Sequence, residues 1–104
     1  MRLSAPRIAP LQDDELTDDQ REALKPMGAR PLNIFRTLAR APKALARFNE
    51  WGSYVLSRRN SLPAREREIV ILRVGFLCKS GYEFTQHTRI GLNEGLSADE
   101  IARI

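Results

Sequence analysis

The chain has 104 residues, 42% of them hydrophobic and 29% charged, which is typical of a globular protein with one modest core. Its single cysteine cannot form an intrachain disulfide, so the composition gives no reason to expect an oxidising compartment. The first residues lack the continuous apolar segment of a signal peptide, and the longest apolar run, Ile69 to Cys78, is too short to span a bilayer. These features predict a cytoplasmic protein with no membrane partner.

The net charge of +4 and the pI near 9.8 come mainly from arginines that are spread along the chain. A nucleic-acid-binding protein more often concentrates its basic residues on one face, with aromatic residues between them. Here the arginines alternate with apolar residues at helical spacing, which favours a solvated face. We therefore expect no nucleic-acid partner.

The hydrophobic pattern is helical throughout and predicts an all-α fold. Residues 1–15 are predicted to form an extended arm. Thr17 and Gln20 form a capping box that starts a short helix ending near Lys25, and Pro31 opens a second short segment.

A longer helix is predicted from Pro42 to about Arg59. Its apolar residues fall on one stripe, as expected of a helix packed on a core. Gly52 lies within that stripe, and we expect it to allow close approach by another backbone, since glycine otherwise costs a helix about 1 kcal/mol. The stripe consists of Leu45, Phe48, Gly52, Val55 and Leu56.

The next predicted helix starts at Pro63, has charged first turns, and is then apolar nearly all round as far as Cys78. Such a helix is expected to be buried on most sides, and Cys78 on it is expected to be a buried packing residue. A chain this short has few other helices to supply that cover, so we expect a homo-oligomer.

The following helix, from about Gly81 to Gly95, contains the only histidine, His87. Glu83 lies four residues before it, one helical turn away on the same face. A carboxylate in this position can fix the tautomer of the imidazole and raise its basicity, as acid/base chemistry requires. The alternative is an exposed Glu–His pair with no function, which is common at this spacing.

The last helix has the most complete start signal in the chain. Ser97 and Glu100 form a capping box, and Leu96 is placed to pack on Ile101 as a hydrophobic staple. Because so complete a start usually precedes a longer helix, we expect that the sequence continues beyond Ile104 or that a partner covers this helix.

Three segments together resemble the core of the carboxymuconolactone decarboxylase family, which belongs to the all-helical AhpD-like superfamily. They are residues 62–75, residues 77–87 and residues 95–101. Residues 30–40 and the N-terminal arm also resemble the longer members of the family. The resemblance implies one helical domain over residues 1–104, with its core at 42–104, folded as an AhpD-like multi-helical bundle. It also implies assembly into trimers or hexamers.

The hydroperoxidase branch of that superfamily carries a glutamate, then Cys-x-x-Cys, then a histidine four residues after the second cysteine. With that histidine placed on His87, the cysteine positions fall on Ser80 and Glu83, and the glutamate falls on Glu68. Both thiols are absent. Thiol peroxidase activity is therefore disfavoured, because it needs a thiolate nucleophile and a second thiol to resolve the product.

The decarboxylase-like branch has a Tyr-Glu-aromatic-x-x-His pattern, which Tyr82, Glu83, Phe84 and His87 match. The resemblance implies loss of CO₂ from a small carboxylated lactone or a related compound, without metal or organic cofactor. His87 is then the catalytic acid/base group, oriented by Glu83 or Glu68.

The geometry of a straight helix weighs against a contact between Glu68 and His87. A straight helix places Glu68 about 18 Å before the turn at residue 80, and His87 lies roughly 10 Å beyond that turn. We therefore expect either a bend at Gly75 or a different role for Glu68. The candidate substrate-binding residues are Ser80, Tyr82, Arg73 and Cys78, with Arg89 as a second candidate cation for a substrate carboxylate.

Three functions remain open on the sequence. The first is a cofactor-free carboxymuconolactone decarboxylase-like enzyme. The second is a thiol-dependent peroxidase or reductase acting through Cys78 alone. The third is a non-catalytic helical module whose role is oligomerisation.

Overall fold

Six α-helices and two short 3-10 helices form the secondary structure of the computed structural model, which describes residues 3–104, and no strand occurs in that range. The 3-10 helices are Asp13–Glu15, which corrects the end of the predicted extended arm, and Lys25–Met27. The predicted all-α fold is confirmed. None of the described helices combines the length and apolarity that a membrane span requires. The helices are α1 (Asp18–Leu24), α2 (Asn33–Leu38), α3 (Pro42–Val55), α4 (Ala64–Leu77), α5 (Gly81–Asn93) and α6 (Ala98–Ala102).

Both predicted capping boxes are present. The Thr17 hydroxyl accepts a hydrogen bond from the Gln20 amide at 3.4 Å, and the Ser97 hydroxyl accepts one from the Glu100 amide at 3.1 Å. The return bonds, from the Thr17 and Ser97 amides to the side chains of Gln20 and Glu100, are 3.0 and 2.9 Å long. Each cap contributes about 1 kcal/mol to its helix.

The described chain divides into two compact units, residues 3–55 and residues 56–104. In the first unit, α1 and α2 pack on α3. The predicted arm contributes Leu11 to the core of this unit, and residues 1–2 of that arm lie outside the described residues. The single-domain assignment stays a prediction. The buried core residues are Leu11, Leu24, Ala39 and Leu45.

Helix α3 differs from its prediction in two respects. It ends at Val55 instead of continuing to Arg59, because side chains beyond it bind the backbone locally: the Ser57 hydroxyl accepts from the Arg59 amide at 3.2 Å. No described heavy atom lies within 4 Å of a Cβ placed on Gly52, so the expected close approach is wrong for the described chain. Of the predicted stripe, Leu45 is fully buried and Phe48 is 40% exposed.

The second unit consists of an antiparallel hairpin of α4 and α5, followed by α6. Gly75 faces Glu83 and Phe84, whereas Glu68, two turns earlier on α4, faces Gly91 near the end of α5. The two helices therefore run in opposite directions. The core of this unit is formed by Leu72, Leu96 and Ile101, so the predicted staple partners share one cluster.

The turn between α4 and α5 reverses the chain within three residues. Lys79 adopts the left-handed conformation (φ 55°), and the Ser80 and Lys79 amides donate to the carbonyls of Gly75 and Phe76 at 2.9 and 3.0 Å. This pair of bonds is the Schellman arrangement that ends a helix. The same arrangement ends α5, where Gly95 (φ 97°) is in the left-handed conformation as predicted.

The expectation that α4 is buried on most sides is wrong for the single chain. Helix α5 covers the face that carries Glu68 and Leu72, but Val70 and Val74 are each 53% exposed on the other side. Cys78 is exposed as well, which corrects its predicted burial. It caps α4 at the point where the chain turns.

Candidate active site

A buried carboxylate–imidazole contact lies at the centre of the α4–α5 hairpin. His87 Nδ1 is 2.6 Å from Glu68 Oε2, the Glu68 side chain is fully buried, and His87 is 9% exposed. The two residues meet because α5 folds back along α4, so their distances from the turn do not add. No bend at Gly75 is needed, since α4 continues through it.

Two glycines allow α4 and α5 to approach closely at this site. A Cβ at Gly91 would lie 3.6 Å from the Glu68 Cβ and 2.9 Å from the Leu96 Cδ1. A Cβ at Gly75 would lie 3.5 Å from the Phe84 amide nitrogen. Because a larger residue at position 91 would displace its neighbours, the close contact at Gly91 helps to bring Glu68 within reach of His87.

Arg67 supplies the counter-charge for Glu68. Its Nε donates to Glu68 Oε1 at 2.9 Å, its Nη1 donates to the Leu56 carbonyl at 3.1 Å, and the residue is 5% exposed. Sequence reasoning missed Arg67, because arginines at the start of a helix are usually solvated. The available signal was Glu68 itself, which lies one turn before Leu72 on the buried stripe and therefore needs a nearby cation.

Glu83 lies on the other side of the imidazole. Its Oε1 is 3.4 Å from His87 Nε2, and its side chain is 37% exposed. The predicted proximity of Glu83 and His87 is therefore present. This distance exceeds that of a normal N–H···O bond, so Glu83 holds the ring less firmly than Glu68 does.

The hydrogen bonds indicate which nitrogen of His87 carries the proton. Glu68 accepts from Arg67 Nε at one oxygen, and its other oxygen contacts His87 Nδ1, with the guanidinium beside it favouring the anionic carboxylate. An ionised carboxylate can only accept, so we assign the proton of this contact to Nδ1. The lone pair of Nε2 in the neutral ring then points toward Glu83 and the more exposed side of the site.

The structure places two of the other predicted site residues near the N-terminus of α5. The Ser80 hydroxyl caps that helix by accepting from the Glu83 amide at 3.4 Å, so it positions the backbone that carries Glu83. Tyr82, 41% exposed, is in the first turn of the same helix.

The predicted cations do not join Glu68 and His87. The Arg73 guanidinium contacts the Ile104 carbonyl and lies 5.5 Å from the centre of the Phe76 ring. Arg89 is exposed and follows His87 by two residues, so it projects from a different face of α5. Cys78 caps the end of α4, where its thiol is exposed.

A separate groove on the surface of the same unit has a mainly apolar lining. The groove has a volume of about 490 Å³ and lies along α5 and α6, where Phe84, Leu92, Ile101 and Ile104 contribute to its walls. His87 is not part of its lining. Among residues 3–104, no group of three His, Cys, Asp or Glu residues is arranged to hold a metal ion.

Among the comparisons with known proteins, the match to a family model agrees with the resemblance noted in the sequence. No curated protein and no solved structure shows a significant match to the chain. The family model of the carboxymuconolactone decarboxylase family matches residues 42–104, which is more than half of the chain and includes all of α3 to α6. The chain therefore belongs to the carboxymuconolactone decarboxylase family.

Proposed function

We propose that the protein is a cofactor-free acid/base enzyme in which His87 transfers a proton to or from a substrate carbon. The observation that carries the proposal is the 2.6 Å contact between His87 Nδ1 and the buried Glu68 carboxylate. This contact orients the ring and leaves Nε2 facing the more exposed carboxylate, Glu83, as a general acid/base requires.

The proposed reaction is decarboxylation of a small carboxylated lactone or a related compound. The bond from the substrate carbon to the carboxylate breaks, CO₂ leaves, and the electron pair is delocalised into the conjugated carbonyl system of the substrate. Protonated His87 then donates its Nε2 proton to the substrate carbon that lost CO₂. Glu83, the more exposed of the two carboxylates, returns a proton from solvent to Nε2.

The substrate carboxylate also needs a binding group. The residues predicted to contact the substrate remain predictions; they are Arg73, Arg89, Ser80, Tyr82 and Cys78. The decarboxylation step itself uses the electron-accepting carbonyl of the substrate, so it requires no metal or organic cofactor.

Decarboxylation of a panel of carboxylated lactones in D₂O tests this proposal. The wild type is expected to release CO₂ and to place deuterium on the carbon that loses it, as detected by NMR. His87→Gln should lower kcat by about 10²- to 10⁴-fold, the usual contribution of a positioned acid/base group. Asn93→Ala, an exposed change at the end of the same helix, should match the wild type. Equal turnover by His87→Gln and the wild type would contradict the assignment.

One structural observation favours a second candidate function, assembly. Val70, Val74 and Leu77 form a stripe on α4 and are 53%, 53% and 62% exposed. A second copy of the chain is our proposed partner for this stripe, within a trimer or hexamer. A charge there would oppose such packing, because it would be desolvated without a partner.

Sedimentation velocity of Val74→Lys tests the assembly proposal. The variant should sediment as a smaller species than the wild type. Leu62→Lys is the matched control, since Leu62 is 40% exposed and lies outside α4. This variant should sediment like the wild type. A monomeric wild type at micromolar concentration would contradict the proposal. An assembled protein that turns over none of the panel would favour assembly as its main function.

A further inference from the structure

We propose that Arg67 is a positioning residue that sets the tautomer of His87 by keeping Glu68 anionic. The inference rests on the proposed acid/base function for its catalytic meaning, but its structural content concerns the protonation of one imidazole. Arg67 contacts Glu68 and the Leu56 carbonyl, so its effect on His87 passes through Glu68.

Burial makes Glu68 dependent on a counter-charge. Its side chain is fully buried, and when the His87 ring is neutral, a carboxylate removed from water without another paired cation becomes neutral by binding a proton. The Arg67 guanidinium, 2.9 Å away and itself 5% exposed, supplies that cation. Glu83, the second carboxylate near the ring, has a side chain that is 37% exposed and is therefore also stabilised by water.

The charge of Glu68 decides the direction of its hydrogen bond with His87. An anionic Glu68 can only accept, so the proton lies on Nδ1 and the lone pair lies on Nε2. A neutral Glu68 carries an O–H group that donates to Nδ1, and the neutral ring then carries its proton on Nε2. In that state Nε2 cannot accept a proton from a substrate or from Glu83. Arg67 thus determines which nitrogen acts as the base.

The guanidinium also fixes the orientation of Glu68. Nε donates to Glu68 while Nη1 donates to the Leu56 carbonyl, so two different donors of one planar group hold it in place. Leu56 directly follows α3. The hydrogen bond from Arg67 to its carbonyl therefore connects the segment that follows α3 to the start of α4. A lysine has the charge but lacks this rigid planar arrangement of donors.

Nitrogen-15 NMR of the only histidine tests the inference directly, because its two ring nitrogens have distinct shifts when protonated and unprotonated. At a pH where the ring is neutral, the wild type should show a protonated Nδ1 and an unprotonated Nε2. Arg67→Gln should show the reverse. Arg67→Lys, which keeps the charge, should keep the wild-type tautomer. Arg65→Gln serves as the matched control, because it removes an arginine that pairs with Glu66 and Glu100 and not with Glu68. This variant should also keep the wild-type tautomer.

Protonated Nε2 in the neutral wild type would overturn the inference, and so would a wild-type tautomer in folded Arg67→Gln. Circular dichroism establishes that each variant is folded. If Arg67→Gln does not fold, the wild type and Arg67→Lys decide: protonated Nδ1 in both supports the inference, and protonated Nε2 in either overturns it.

Kinetics separate this positioning role from a general loss of structure. Folded Arg67→Gln should lose about 100-fold in kcat, the lower part of the range for an acid/base group, with KM nearly unchanged. A loss confined to KM would contradict the role. If His87→Gln retains full turnover, the proposed function fails, while the tautomer measurement still decides the structural inference.

Discussion

Glu68 and His87 are nineteen residues apart in sequence and lie on different helices, yet Nδ1 of the histidine is 2.6 Å from the glutamate carboxylate. The contact depends on the reversal of the chain at Lys79 and on the close approach of α4 and α5 at Gly91. It converts a surface Glu–His pair on one helix into a four-residue network of Arg67, Glu68, His87 and Glu83. The proposed chemistry depends on this network.

Glu68→Gln should strongly destabilise the protein. The substitution leaves the Arg67 guanidinium buried without its counter-charge, and breaking a buried pair in this way costs about 3–5 kcal/mol. Urea denaturation of Glu68→Gln and of Glu66→Gln provides the measurement. Glu66 lies on the same helix, but its side chain is 48% exposed. Glu66→Gln should therefore change the unfolding free energy by less than about 0.5 kcal/mol. Similar losses in the two variants would contradict the importance of the buried pair.

Glu83→Gln should affect turnover much more than stability. Its side chain is 37% exposed and its 3.4 Å distance to Nε2 exceeds a normal hydrogen bond, so the unfolding free energy should change by less than about 1 kcal/mol. Loss of the carboxylate that exchanges protons with solvent should lower kcat about tenfold, which corresponds to about 1.4 kcal/mol in activation free energy. Glu50→Gln on α3 is the matched control. An unchanged kcat in Glu83→Gln would exclude a role in proton transfer.

Glycine-to-alanine substitutions should have opposite outcomes at two helical positions. A Cβ added at Gly52 would meet open space, so Gly52→Ala should stabilise its helix by about 0.5–1 kcal/mol. At Gly91 the new Cβ would be 2.9 Å from Leu96 and would press on the core beside Glu68, so Gly91→Ala should not show this gain. Unfolding free energies from urea titration compare the two. An equal gain at both positions would show that the Leu96 side chain moves aside without cost and would contradict tight packing around Gly91.

The start of α6 should weaken in acid. The backbone amide of Ser97 and the side chain of Arg65 donate hydrogen bonds to Glu100, and these hold its pKa below the ordinary value of 4.5. A pKa that is lower in the folded state means that the carboxylate stabilises folding at pH values above 4.5. The contribution is then lost as the pH falls through the lower, folded-state pKa.

Thermal unfolding of the wild type and Glu100→Gln over a pH series measures this effect. The wild type should have the higher Tm near neutral pH, and the difference should shrink as the pH falls below 4.5. Asp14→Asn is the control for removal of one surface carboxylate. A difference in Tm between the wild type and Glu100→Gln that is independent of pH would contradict the proposed stabilisation by the charged capping box.

Local features of the fold were predictable because they depend on residues close in sequence. The capping boxes at Thr17 and Ser97, the left-handed Gly95 and the proximity of Glu83 and His87 each involve at most four consecutive positions or one helical turn. Such features follow from backbone hydrogen bonding and helical geometry.

The features that were missed depend on how helices pack. Lys79 adopts a left-handed conformation that lysine seldom signals, so the close reversal that brings Glu68 to His87 had no clear local sign. The burial of Arg67 depends on Glu68 and on the Leu56 carbonyl eleven residues earlier. The exposure of α4 and of Cys78 depends on how many faces neighbouring helices cover, which hydrophobicity alone does not specify.

The proton on His87 Nδ1 provides the most direct test of the central claim, that Glu68 holds the imidazole through Nδ1. Proton NMR of the wild type should show this proton far downfield and slow to exchange, because its hydrogen bond to a carboxylate is short and buried. Among the variants that remain folded, the signal should disappear in Glu68→Gln and persist in Glu83→Gln. Its absence from the wild type, or its loss in Glu83→Gln with retention in Glu68→Gln, would contradict the account.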